Sequence, residues 1–159
     1  MGAYPDLNMV QIKSYTPEFE EDFRKINLHW LNQYDLLEDA DLEVLNNLQS
    51  ILDHNGYIFI AVIENRLVGT LALSKHEEGF ELVKMAVLPE FQGRGIARLL
   101  LETGLSKARD TGAKKISLYS SSKLKAAIKL YQKYGFVLVP NSDSPFVTAD
   151  IKMELDLTN

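Results

Sequence analysis

The sequence predicts a mixed α/β domain, one mixed sheet with helices packed on it. Three observations predict it. Seven short stretches are apolar or alternate like strands, four longer ones repeat apolar residues at helical spacing, and Gly, Pro and Asn signals separate them. The resulting order is β-α-α-β-β-β-α-β-α-β-β. Residues 1–9 carry little pattern and read as an arm, and residues 10–157 read as a single domain.

Val10 to Tyr15 alternates weakly and reads as the first strand. Thr16-Pro17 is a helix start, with Thr as cap and Pro at the first helical position. Phe19, Phe23, Ile26, Trp30 and Tyr34 then mark a core-facing helix. A second helical region spans about Asp39 to His54 and ends at Asn55-Gly56. Tyr57 to Glu64 and Leu67 to Lys75 form a hairpin about Asn65-Arg66. His76 to Gly79 is the turn before the next strand, Glu81 to Leu88, where Pro89 stops pairing.

From Ala97 the spacing is helical. Ala97, Leu100, Leu101, Gly104, Leu105 and Ala108 share one face, and Gly112 ends the helix. Lys115 to Ser120 is a strand, Lys123 to Tyr134 a helix capped by Gly135, and Phe136 to Val139 a short strand. A polar loop, Asn141 to Pro145, leads to Ile151 to Leu157, whose strict alternation gives the last strand one wet face.

Composition narrows the function classes. The formal net charge of −5 argues against nonspecific nucleic-acid binding. There is no cysteine, which excludes disulfides, thiolate metal sites and a cysteine nucleophile. No apolar run is long enough to span a bilayer and no signal-peptide pattern is present, so the expectation is a cytoplasmic protein with no membrane partner. None of His29, His54 and His76 has metal-ligand spacing, and no metal is expected.

The turn Gln92-Gly-Arg-Gly95-Ile-Ala97, between a strand and a helix, is the first candidate site. Gly93 and Gly95 let the chain turn tightly and let a ligand approach the backbone. The first N–H groups of the helix have no partner inside it, and the helix dipole adds partial positive charge. Such a turn suits a phosphate or pyrophosphate, with Arg94 and Arg98 adding charge at the rim. The alternative is two glycines that only make a tight connection. A P-loop is excluded, because Gly-Lys-Ser/Thr is missing.

The same residues carry a resemblance. Gln92-Gly-Arg-Gly95-Ile-Ala97 resembles the acyl-CoA signature Gln/Arg-x-x-Gly-x-Gly/Ala of the GNAT superfamily of N-acetyltransferases. Ala127-Ile-Lys-Leu-Tyr131-Gln-Lys-Tyr-Gly-Phe136 is similar to its second signature, Ala-x-x-Leu-Tyr-x-x-x-Gly-Phe. The resemblance covers about residues 10–157. It implies a mostly antiparallel sheet in which the Glu81 and Lys115 strands run parallel and splay apart. It implies acetyl-CoA as cosubstrate in the cleft, with its pantetheine arm paired to the Glu81 strand. Met85, Ala86, Val87, Gln92, Gly93, Arg94, Gly95, Ile96, Ala97, Ser120, Leu124, Ala127 and Tyr131 are then the candidate cofactor-binding residues.

The implied reaction is direct acetyl transfer to a primary amine in a ternary complex; the alternative is a noncatalytic acyl-CoA-binding sensor. An alkylammonium with pKa about 10.4 is only about 1 part in 2,500 neutral at pH 7, so the amine must lose a proton. Tyr131 occupies the family's tyrosine position and is the candidate acid for the leaving thiolate. By spacing alone, with Leu124, Ala127 and Ile128, it is equally a core residue. Tyr134 points elsewhere on the same helix and serves as its control.

Glu81 is the candidate base. It stands eleven residues before Gln92, where some GNAT enzymes place a catalytic glutamate. A regular strand puts Glu81, Val83 and Met85 on one face and Lys84 on the other. The other reading of Glu81 is a strand-end residue facing solvent.

Leu124 stands where the family often has asparagine, and Ser121 and Ser122 either replace its contact or cap the next helix. Glu38, Asp39, Asp41 and Glu43 read as dipole complements of a helix or as an acidic wall attracting a cationic acceptor. The acceptor class is a small-molecule or peptide amine, and the C-terminal strands are available to pair across a homodimer.

Overall fold

A computed structural model of the chain describes residues 9–141, 143–144 and 146–158. The expected arm lies outside these residues except for Met9. Seven strands form one sheet in the order β1-β2-β3-β4-β5-β7-β6. They are β1 Gln11–Ser14, β2 Tyr57–Ile63, β3 Arg66–His76, β4 Gly79–Val87, β5 Lys115–Ser120, β6 Val137–Val139 and β7 Ile151–Asp156. All neighbours are antiparallel except β4 and β5.

The sheet separates two cores. On one face pack α4 (Ile96–Asp110) and α5 (Lys125–Lys133), over Phe59, Leu71, Leu73, Ile116 and Met153. On the other pack α1 (Glu20–Gln33), α2 (Asp39–Leu45) and α3 (Leu48–Asp53), over Ile58, Ile60 and Leu67. Central β2 is buried on both faces, which explains its unbroken apolar run. In α4, Leu100, Leu101, Leu105 and Ala108 are buried as the spacing predicts, each leucine contributing about 1.5–3 kcal/mol of transfer free energy.

Besides shifts of one or two residues at element ends, such as β4 starting at Gly79 and α5 at Lys125, three features differ from expectation. The Asp39 to His54 region is two helices, broken at Asn46-Asn47, where Asn47 leaves the helical conformation at φ −146°, ψ 51°. Thr16 holds the cap position and Pro17 the first position, but of a short 3₁₀ turn, Pro17–Phe19, that leads into α1, and the Thr16 hydroxyl donates to Glu18 without a capping bond to the backbone. Neither Ser121 nor Ser122 caps α5. Leu124 holds the cap position, Ser121 Oγ accepts from the Lys123 amide at 3.2 Å, and Ser122 binds Asp150.

The β4–β5 relationship shapes the site. The strands pair only at Gly79, Phe80 and Glu81, opposite Lys115, Ile116 and Ser117. Beyond Glu81 they diverge, leaving the β5-facing edge of β4 open from Leu82 onward. Gly79 permits the close approach, since a Cβ there would lie 1.7 Å from the Lys115 carbonyl oxygen.

Candidate active site

A β-bulge interrupts β4. Thr70 pairs with Ala86 and Ala72 with Val83, so Leu71 faces two residues, Lys84 and Met85. Lys84 takes up the extra length in the left-handed region, at φ 53°. Thr70 Oγ1 donates to the Lys84 carbonyl oxygen at 2.7 Å and accepts from Asn27 Nδ2 at 3.0 Å, which fixes the bulge to α1.

The bulge resets the alternation of the strand. Phe80, Leu82 and Val87 enter the core beneath α4, with Met85 packed on it, whereas Val83 and Ala86 belong to the core beneath α1. Lys84 therefore shares the side of Val83, and Met85 takes the opposite side. This corrects the regular-strand expectation, whose period of two assumes one residue opposite one.

Two cavities meet at the splay. The first is lined by Glu81, Lys84, Tyr119, Ser120, Ser121 and Phe146, among others. The second runs along Ala86, Val87, Gln92, Gly93, Gly95 and Ala97 towards Ala127. Trp30, Met85, Leu124 and Tyr131 line both, so these four side chains form the waist between them.

The second cavity gathers most of the predicted cofactor residues. Gly93 and Gly95 sit at φ 76° and 84°, a conformation that favours glycine, and Gly95 caps α4. Space over Gly93 is open: a Cβ there would meet nothing within 4 Å. Gln92 Nε2 donates to the Val87 carbonyl oxygen at 3.1 Å, tying the turn to the end of β4. Arg98 lines the cavity and pairs with Glu102 at 2.8 Å, while the Arg94 guanidinium lies 5.7 Å from the Phe91 ring centre. Ile96 and Leu130 add apolar wall. Two predicted residues are exceptions: Arg94 does not line this cavity, and Ser120 lines the first cavity instead.

Tyr131 is 6% exposed, and burial pushes its phenol well above the ordinary range. Its hydroxyl makes no hydrogen bond among the described residues, and its ring lies 5.7 Å from that of Phe136. The residue is thus both core and cavity lining, so the two readings of its helical face coexist. Tyr134 packs against the core at the end of α5.

Glu81 lines the first cavity with a side chain 13% exposed. Its Oε1 lies 3.0 Å from His76 Nε2, at the end of β3. Burial raises its carboxyl above the usual carboxylate range, and His76, Lys84 and Lys152 offset this in part. The solvent-facing alternative for Glu81 does not describe this placement.

The acidic cluster divides. Asp41 and Lys84 form an ion pair with side chains 5% and 6% exposed, and the other Asp41 oxygen accepts from the Glu38 amide at 2.9 Å. Glu38 in turn accepts from the amides of Val147 and Thr148 at 3.0 and 2.7 Å, and from the Thr148 hydroxyl. These bonds join the bulge, the start of α2 and the loop at 146–148 into one wall of the first cavity. Asp39 and Glu43 are exposed. Sequence reasoning missed Lys84, Trp30 and Phe146 as site residues, and placed Asp41 in a possible acidic wall without its partner Lys84. Asn27, a polar residue between Phe23 and Trp30 on an apolar helix face, was the one available signal.

Among the described residues, no cluster of three or more His, Asp or Glu could hold a metal ion, and no helix is long and apolar enough to cross a membrane.

Solved structures share this architecture. An acetyltransferase of the GNAT family from Staphylococcus aureus Mu50 superposes with a TM-score of 0.85 at 20% identity, over 93% of this chain and 99% of that one. The PaiA N-acetyltransferase of Thermoplasma acidophilum, solved with coenzyme A, gives 0.75 at 17% identity, over 92% and 98%. YncA from Salmonella typhimurium, solved with acetyl-CoA, gives 0.78 at 18%, over 94% and 95%.

Curated relatives include the mycothiol acetyltransferase of Actinosynnema mirum, 26% identical over 132 residues, which are 80% of this chain and 44% of that protein. Human N-acetyltransferase 8B is 31% identical over 114 residues, 67% of this chain and 49% of that protein. The chain thus spans less than half the length of these two relatives. Residues 15–136 match the acetyltransferase (GNAT) family, well over half of the chain, and with its splayed β4 and β5 the chain belongs to that family.

Proposed function

We propose that the chain is an acetyl-CoA-dependent N-acetyltransferase acting on a primary amine by direct transfer. The observation that carries it is the waist: Tyr131 borders at once the glycine-cradled cavity and the cavity holding Glu81. PaiA and YncA, solved with coenzyme A and acetyl-CoA, support the choice of cosubstrate.

The residues present suit that cosubstrate. The amides from Gly93 to Ala97 offer donors to a pyrophosphate at the start of a 15-residue helix. The open edge of β4 at Met85, Ala86 and Val87 offers main-chain partners to an amide-bearing arm, and Leu124 and Ala127 give that arm an apolar wall. Bound acetyl-CoA supplies an activated thioester carbonyl. Glu81 takes the proton from the acceptor ammonium, directly or through a water, and so provides the route for a deprotonation that costs about 4.6 kcal/mol at pH 7. As the C–N bond forms and the C–S bond breaks, Tyr131 gives its phenolic proton to the departing sulfur, and the second proton lost by the nitrogen as it becomes an amide restores the phenol through water. A raised phenol keeps that proton in place until it is needed. The absence of cysteine agrees with transfer without an acetyl-enzyme.

The test is release of coenzyme A from acetyl-CoA across a library of amines, with acetyl-CoA affinity measured in parallel. Turnover with an amine supports the enzyme. Tight binding with no turnover on any amine replaces it with the noncatalytic acyl-CoA sensor.

A further inference from the structure

We infer that the acceptor is a monoamine carrying an apolar, aromatic or branched aliphatic body, and that polyamines and amino acids are poor substrates. This rests on the proposed transfer reaction and specifies its acceptor cavity.

Charge accounting carries the first half. Among the described residues, two carboxylates line the Glu81 cavity, Glu81 and Asp41, and two more, Glu38 and Asp143, bind the wall residues Thr148 and Tyr119. Asp41 is spent, one oxygen on Lys84 and the other on the Glu38 amide. Glu38 is spent on the amides of Val147 and Thr148 and on the Thr148 hydroxyl. Of these four, Glu81 alone keeps a carboxylate oxygen, Oε2, with no hydrogen-bond or ion-pair partner among the described residues, its Oε1 lying 3.0 Å from His76. The cavity therefore has one place for an ammonium. A second ammonium on a polyamine would enter near Lys84 with no carboxylate to receive it, and an unpaired charge in a part-buried site is strongly disfavoured. The acidic cluster of residues 38–43 thus does not serve as a cation trap; its buried members hold the wall together.

An acceptor carboxylate fares no better. Lys84 is neutralised by Asp41, and Lys152 by Asp143 at 3.1 Å. An α-carboxylate placed beside Glu81 would lack a free cation and would add like-charge repulsion.

The second half follows from the walls. Trp30, Leu31, Leu36, Leu118 and Phe146 line the cavity around Glu81. The Lys84 ammonium lies 5.5 Å from the Phe146 ring centre, a cation–π contact that holds the ring in the cavity wall beside the ion pair. A flat or branched apolar body would bury against these surfaces while its amine reaches Glu81.

The test compares kcat/KM for 2-phenylethylamine, 3-methylbutylamine, putrescine, spermidine, phenylalanine and an alanine-initiated peptide, with acetyl-CoA affinity measured calorimetrically alongside. The expected result is at least tenfold preference for the first two. A polyamine, amino acid or peptide matching them overturns the inference while leaving the transferase intact. Failure to bind acetyl-CoA, or binding without turnover of any amine, overturns the transferase and this inference with it.

Two variants sharpen the result. Lys84→Met releases Asp41 to receive a second ammonium, so the ratio of putrescine to 2-phenylethylamine activity should rise at least tenfold; an unchanged ratio in a folded variant contradicts the charge accounting. Phe146→Ala should raise KM for 2-phenylethylamine at least fivefold with KM for acetyl-CoA unchanged. An unchanged amine KM contradicts the wall, even if Lys84→Met does not fold.

Discussion

His76 Nε2 stands 3.0 Å from Glu81 Oε1 across the β3–β4 hairpin, and the pair joins solvent to the cavity. The His76 side chain is 55% exposed and that of Glu81 13%. Burial raises the Glu81 carboxyl, and His76 pulls it back down. Lys84 and Lys152 act in the same direction as His76.

The sign of the pH dependence follows. A base must be ionised to work, so kcat/KM should fall on the acidic side with a limb above the ordinary carboxylate range. Glu81→Gln should abolish that limb and lower activity roughly 10²-fold or more. His76→Ala removes a lowering influence, so the limb should move to higher pH. A limb unmoved in His76→Ala means that the contact does not tune the base.

The same shift has a stability consequence. A carboxyl raised in the folded chain binds its proton more tightly than when unfolded. Glu81 should therefore cost stability as pH rises from about 4.3 through its folded pKa. Denaturant titrations of wild type and Glu81→Gln should converge in acid and separate in favour of the variant towards neutrality.

Tyr131→Phe should retain the fold and acetyl-CoA affinity and lower kcat by about 10²–10⁴-fold. Tyr134→Phe, which alters a ring outside both cavities, should be nearly silent. Single-turnover kinetics separate a lost proton donor from slow product release. Full activity in Tyr131→Phe would reduce Tyr131 to packing.

Gly95→Glu places a Cβ and a negative charge at φ 84° in the turn before α4. Acetyl-CoA affinity should fall at least tenfold by calorimetry, through strain and repulsion at the same point. Unchanged affinity would move the pyrophosphate elsewhere.

Asp41→Ala leaves the Lys84 ammonium buried beside the bulge without its counter-charge. Loss of one member of such a pair costs about 3–5 kcal/mol, which thermal or denaturant unfolding should register as a marked loss. The double variant Asp41→Leu with Lys84→Met should recover much of it, because no lone charge remains. Additive losses would mean that the two residues act independently.

What the sequence determined by itself was local. The glycines before α4, the Leu-Tyr motif of α5 and the periodicities of strands and helices lie within contiguous segments, and those elements are present in the fold. Glu81 could be located by its offset from Gln92, although its burial could not. The tertiary structure decided the rest, because each remaining feature joins residues far apart in the chain. The bulge at Lys84 exists only in register with β3, held by Thr70 and Asn27, and it reverses the strand's facing from that point. Pairing of Asp41 with Lys84, and of Glu38 with the 147–148 amides, spans 43 and about 110 positions, so the cluster that reads as dipole complements or as an acidic wall becomes a wall whose buried carboxylates are already satisfied. Acidic residues look alike in a sequence; which of them remains available to a ligand depends on which cations and amides the fold brings within hydrogen-bond reach.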